Sequence, residues 1–87
     1  MASSDLQAAL DHLKAGGFKL GKDWEEAHEI CQAHEGTQIF DWTHALIHRI
    51  EGDDRNAGYW YSRAGKERHE GSVEEEFEVI QAASAAS

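Results

Sequence analysis

Residues 41–65, DWTHALIHRIEGDDRNAGYWYSRAG, predict two helices joined by a tight turn. Trp42, Leu46 and Ile50 recur every four residues, a spacing that aligns side chains on one face of an α-helix. The turn at residues 52–54 combines a glycine that ends the first helix with aspartates that begin the second. The apolar face of the second helix consists of Ala57, Trp60, Tyr61 and Ala64. Because the connection is so short, the two helices are expected to pack as an antiparallel hairpin.

Three further helices are predicted on either side of this hairpin. In each, a polar cap precedes an apolar stripe, and glycines mark the turns between helices. The expected cap pairs are Ser4 with Gln7, Asp23 with Glu26, and Ser72 with Glu75. Residues 81–87 contain no large apolar side chain and are expected to fray. Since no run of residues alternates convincingly with a period of two, the sequence predicts an all-α fold: one domain over residues 1–87, a small bundle of about five short helices.

The composition excludes several classes of partner. The chain has 87 residues, a net charge of −9 and a pI near 4.9. Because nucleic acids and anionic membranes attract surfaces rich in Lys and Arg, neither is an expected partner. The single cysteine, Cys31, allows no internal disulfide and is typical of a reducing compartment. The N-terminus does not resemble a secretory signal and no apolar run could span a bilayer, so the expectation is a soluble, cytoplasmic protein.

A polar stripe on the first helix of the hairpin contains four groups that can bind metals. On a helical wheel Asp41, His44, His48 and Glu51 fall within about 80° of each other, opposite the apolar face. Two histidines four residues apart can hold one ion, and the Glu51 carboxylate one turn on can complete the set. His28, on the preceding helix, is the predicted additional ligand. The sequence therefore predicts a site for a divalent transition metal such as zinc or nickel.

The same stripe has an alternative interpretation as a solvated helix face. Asp41 with His44, and His48 with Glu51, are spaced as ordinary i, i+3 surface pairs. Ala45 replaces the glutamate that zinc proteases carry after the first histidine, so the protease signature is absent. In both interpretations His44 and His48 are expected to lie away from the core, and their replacement by alanine should leave the fold intact.

A second polar stripe on the following helix predicts ligand-binding residues. The stripe opposite its apolar face includes Asn56, Tyr59 and Arg63 at spacings of three and four residues. If it borders the same groove as the histidine stripe, these side chains and Arg49 offer an amide, a phenol and two guanidinium groups to a small ligand. The alternative is that Tyr59 and Arg63 cover the outer surface of the bundle.

No motif predicts an enzyme. Cys31 lies in an acidic segment without a neighbouring Lys or Arg, so we expect an inert core thiol. The sequence contains neither a defensible Ser-His-Asp arrangement nor a glycine-rich phosphate loop. Metal-assisted hydrolysis would need an open coordination position and a base, and no motif supplies either.

Two resemblances extend these predictions. The pattern H-A-x-x-H-R-x-E-G-D-x-x-N-A-x-Y-W-Y-x-R-A-G over residues 44–65, preceded by A-H-x-x-x-Q over residues 27–32, resembles a family of small uncharacterised bacterial proteins. That resemblance implies kinship and assigns no activity. The stretch over residues 52–65 is also similar to the second half of tetratricopeptide-type repeats, although no second copy follows at a fixed period. The family pattern includes His28, His44, His48, Arg49, Glu51, Asp53, Asn56, Tyr59 and Arg63.

The sequence thus supports two hypotheses about function. The first is a small helical protein that binds a metal ion or small ligand through His44, His48 and Glu51, with His28 nearby. The second, which the tetratricopeptide likeness implies, is a protein–protein interaction module without ligand chemistry. Its aromatic fourth helix would dock a partner or a second copy of the chain. A short chain with many aromatic residues is expected to self-associate, so a homodimer is predicted.

Overall fold

The computed structural model describes residues 4–86 and confirms the all-α prediction. Within that range the chain forms five helices and no strand, with overall dimensions of 30 × 28 × 23 Å. None of these helices has the length and apolar character needed to cross a membrane. Consecutive helices pair as hairpins, α1 with α2 and α3 with α4, and α5 packs against α3 and α1. The helices are α1 (Ser4–Ala15), α2 (Lys22–Ala33), α3 (Gln38–Ile50), α4 (Asp54–Ala64) and α5 (Val73–Ala86).

Helix α3 lies at the centre of the bundle, in contact with α2, α4 and α5. As a result, every residue from 40 to 48 is buried, on all sides of the helix. The prediction that His44 and His48 face away from the core is therefore wrong: their exposed fractions are 1% and 8%. Asp41, on the same stripe, is also buried and accepts hydrogen bonds from the backbone N–H of Gly36. A wheel assigns one buried face, whereas a helix enclosed by three neighbours has several.

The predicted helix boundaries depend on N-terminal caps, and the caps of α4 and α5 are as expected. The Asp53 carboxylate accepts a hydrogen bond from the backbone N–H of Asn56 and so caps α4, whose apolar face is buried. Ser72 and Glu75 form a reciprocal capping box before α5. The predicted Asp23 cap is wrong, because α2 begins after Gly21 and the Asp23 carboxylate instead lies 2.8 Å from Nδ1 of His12.

The last helix extends further than the sequence suggests. Residues 81–86, expected to fray, form the C-terminal part of α5. Ala83 packs against the core and Ser84 is buried, so small side chains allow this part of the helix to approach the bundle closely. Residue 87 lies outside the described residues.

A buried carboxylate fastens α5 to the central hairpin. Glu76 is fully buried and accepts hydrogen bonds from the Trp42 indole N–H at 3.0 Å and from the Tyr61 hydroxyl at 2.7 Å. Its Oε1 also forms a 3.0 Å ion pair with Nη1 of Arg49. Burial, followed by the hydrogen bond to Glu76, raises the pKa of Tyr61 above its usual value, so the phenol remains a donor. The buried charge therefore has three donors around it.

Candidate metal centre

Three imidazoles meet where α2 packs against α3. His44 and His48 are one helical turn apart on α3, and His28 approaches them from α2. One ring nitrogen from each of the three lies within 4.8 Å of the others. The indole N–H of Trp24 donates a 2.9 Å hydrogen bond to the carbonyl of Ile47, which fixes α2 against α3 near these rings. The structure thus brings together three of the four predicted metal ligands.

Two tryptophans cover faces of these rings. Trp24 stacks on His28 with ring centroids 5.1 Å apart, and Trp60 of α4 stacks on His44 at 3.8 Å. His44 and His48 are themselves nearly parallel, with an interplanar angle of 19°. Stacking occupies the ring faces, whereas metals bind in the ring plane through a nitrogen lone pair. The tryptophans can therefore hold the imidazoles without competing for their nitrogens.

The environment keeps two of the imidazoles neutral. Burial is the main cause that lowers the pKa of His44 to about 3, and the charges of His28, His48 and Arg63 act in the same direction. Burial, and next the charge of His48, also lower the pKa of His28. Nδ1 of His44 is buried and has no hydrogen-bond partner. Neutral imidazole is the form that binds a metal, so these rings offer lone pairs near neutral pH.

Glu51 occupies a different position from the one predicted. Its Oε1 lies 2.6 Å from Nδ1 of His48, so the carboxylate accepts a hydrogen bond from that ring when the nitrogen carries its proton. This arrangement leaves Nε2 of His48 for a metal and fixes the ring orientation, which is the usual role of a carboxylate behind a metal-binding histidine. Glu51 and Asp53 also form a second group with His48, whose ligand atoms lie within 4.8 Å of one another.

The predicted ligand-binding residues are spread over several contacts. Arg49 is directed towards α5, where it pairs with Glu76 and donates to the carbonyl of Gly71. The amide of Asn56 donates to the capping carboxylate of Asp53. Tyr59 and Arg63 are exposed and joined by a 3.1 Å hydrogen bond. The guanidinium carbon of Arg63 lies 5.1 Å from the centre of the Trp60 ring that stacks on His44.

Sequence reasoning did not identify the two tryptophans as parts of the centre. Trp60 was predicted only as a core residue, since the helical spacing that buries it does not show what it packs against. Trp24 had a usable signal: it precedes His28 by four residues and therefore lies on the same face of α2.

A tetrahedral zinc ion would fit between the three rings after a modest adjustment of the side chains. Nitrogen ligands 2.0–2.1 Å from a tetrahedral zinc stand about 3.4 Å from one another. Nitrogens separated by up to 4.8 Å must therefore close by up to about 1.4 Å, a movement within reach of side-chain rotations. Cys31 does not belong to the group; burial raises the pKa of its thiol to about 12, as expected for an inert core cysteine.

Comparison with protein-family models, with curated proteins and with solved structures found no match to this chain. The resemblances to a bacterial family and to tetratricopeptide-type repeats therefore stay predictions.

Proposed function

We propose that this protein binds one divalent transition metal ion, zinc or nickel, through His28, His44 and His48. The observation that carries the proposal is the convergence of three imidazoles from two helices, two of them buried. The unpartnered Nδ1 of His44 supports it, because buried polar atoms normally have a hydrogen-bond partner and those that lack one need an explanation.

The chemistry of the ligands favours these metals. Imidazole nitrogens suit zinc, nickel, copper and iron, whereas magnesium and calcium prefer oxygen ligands. Glu51 contributes by orienting His48, and such outer carboxylates typically change metal affinity by about 10–100-fold. The proposal does not include an enzymatic activity.

Metal binding should stabilise the bundle because it joins α2 to α3. A ligand present at 100 times its dissociation constant adds about 2.7 kcal/mol to the free energy of unfolding. For a domain of this size, that corresponds to a rise in melting temperature of roughly 10–20 °C. A competing explanation is that the rings are only an aromatic packing cluster, in which case added metal changes neither quantity.

The test is elemental analysis of untagged protein purified without chelator, combined with calorimetric titration of the metal-free chain with zinc and nickel. We expect close to one equivalent of metal and a higher melting temperature. His28→Ala should weaken metal binding by more than about 100-fold, since it removes a metal ligand and not merely a residue that orients one. His12→Ala is the matched control, because His12 pairs with Asp23 on α1 and α2 outside the cluster. No bound metal and an unchanged melting temperature would overturn the proposal.

The interaction module remains the second candidate. On α4, Trp60 and Tyr61 are buried, which leaves Tyr59, 54% exposed, as the aromatic residue available to a partner or a second copy. We propose a homodimer through this face, in the bacterial cytoplasm, as the form of this alternative. Sedimentation tests it: a dimer that Tyr59→Ala dissociates supports the module, and a strict monomer without a partner counts against it.

A further inference from the structure

The candidate metal centre has three protein ligands. Within residues 4–86, no fourth His, Cys, Asp or Glu ligand atom joins the group formed by His28, His44 and His48. Structural zinc sites normally have four protein ligands, whereas sites with three keep a position for water or for a ligand from solution. Glu51 was predicted as a further ligand, but its Oε1 lies within hydrogen-bond distance of Nδ1 of His48.

Building on the proposed metal function, we propose that the bound ion keeps one exchangeable coordination position and that this position takes a small neutral nitrogen base, such as an imidazole, from solution. The donor set itself supports the exchangeable position, since three imidazoles satisfy three of the four positions that zinc requires.

Of the three proposed ligands, His28 on α2 is the most exposed to solvent. His28 is only partly buried and lines an open surface depression of about 550 Å³. The stacked Trp24 indole forms an apolar part of its wall. The complete lining consists of Lys22, Trp24, Glu25, Glu26, His28 and Glu29.

The charge around this approach selects against anions. Three carboxylates and one ammonium group line the depression, and Glu51 lies behind His48. The whole chain also carries a net charge of −9. Small anions are therefore repelled from the approach, whereas a neutral base is not. The positive charge of Arg63 attracts anions, but Arg63 lies beside Trp60, which stacks on His44, and does not line this depression.

Cobalt(II) provides the test because its visible absorption responds to the number and type of its ligands. The metal-free full-length chain is first titrated with cobalt, and the loaded protein is then titrated with imidazole and, separately, with azide at low ionic strength. We expect imidazole to change the spectrum with saturation, and azide to bind more weakly. A short peptide with one internal histidine is titrated in parallel, and tighter binding of the peptide than of imidazole identifies a polypeptide as the donor.

The outcomes separate this inference from the metal proposal. Failure of cobalt to bind overturns both, whereas cobalt binding with a spectrum that no added ligand changes overturns the exchangeable position alone. Tighter binding of azide than of imidazole overturns the preference for a neutral base. Glu29→Gln, an exposed change outside the metal ligands, should raise azide affinity by about two-fold and leave imidazole affinity unchanged. His12→Ala should reproduce the wild-type response to both ligands.

Discussion

The metal-free protein should lose stability on mild acidification because His44 resists protonation in the folded state. Burial lowers the pKa of His44 from 6.5 to about 3, so the unfolded chain takes up a proton at a pH where the folded chain does not. A group whose folded pKa is depressed contributes stability above its unfolded pKa, and that contribution falls as the pH drops from about 6.5 towards 3. The lowered pKa of His28 adds an effect of the same sign.

The size of the His44 effect follows from these two pKa values. Protonation of the unfolded state at pH 5 favours unfolding by about 2 kcal/mol relative to pH 7, because each pKa unit is worth about 1.4 kcal/mol. The total approaches about 5 kcal/mol near pH 3, where carboxylates titrate as well. The range from pH 7 to 5 therefore isolates the histidines best. For a domain of this size, 2 kcal/mol is a substantial part of a stability of roughly 4–13 kcal/mol.

Urea unfolding in the presence of a chelator at pH 7 and pH 5 measures the effect. His44→Phe retains an aromatic ring against Trp60 and removes the titrating group, so its loss of stability over this range should be smaller than that of the wild type by about 2 kcal/mol. His44→Gln provides a second variant if phenylalanine is too large for the site. Equal losses in the wild type and in both variants would refute the reasoning, since His44 would then titrate alike in the folded and unfolded chains.

Three further changes test the contacts around the centre and the fold. Glu51→Gln should lower zinc affinity by about 10–100-fold with little loss of fold, measured by calorimetric titration, because it weakens the partner that orients His48. Glu76→Ala should lower the free energy of unfolding by about 3–5 kcal/mol in urea, since it removes the counter-charge of the largely buried Arg49 and leaves the Trp42 and Tyr61 donors unpaired. The exposed Glu78→Ala on the same helix should change it by no more than about 0.5 kcal/mol. Asp53→Ala should lower the free energy of unfolding by about 0.5–2 kcal/mol through loss of the α4 cap, and unchanged urea unfolding would contradict that role.

The helices could be predicted from the sequence where local chemistry decides them. Of the aspartates and glycines that the sequence offers here, Asp53 and Gly65 bound α4, since a carboxylate cap and a glycine with positive φ act within a few residues of the chain. The burial of α3 could not be predicted in this way, because it depends on how many helices surround it. Glu76 illustrates the same limit: its sequence neighbours suggest a solvated acidic turn, and only the arrival of Trp42, Tyr61 and Arg49 from elsewhere makes it a core residue.

The candidate site was predictable to a similar extent. The spacing of His44 and His48 places two rings on one side of α3 whatever surrounds that helix. His28 was predicted as an additional ligand from the preceding helix, and it does supply the third ring. The role of Glu51 could not be derived, because a carboxylate three residues after a histidine can either share its metal or orient its ring, and the choice depends on side-chain conformation.

The contrast between the two buried polar clusters bears on function. Around Glu76, every group has a partner: three donors surround one carboxylate, and such a network stabilises the packing without any addition. The histidine cluster is different, because one nitrogen of each ring lies within 4.8 Å of the others and Nδ1 of His44 has no hydrogen-bond partner. An unpartnered buried polar group costs about 1–3 kcal/mol, so an apolar side chain at this position would suit packing alone better. Under the proposed function, a metal ion would accept a lone pair that no protein donor reaches, and its binding would offset this cost.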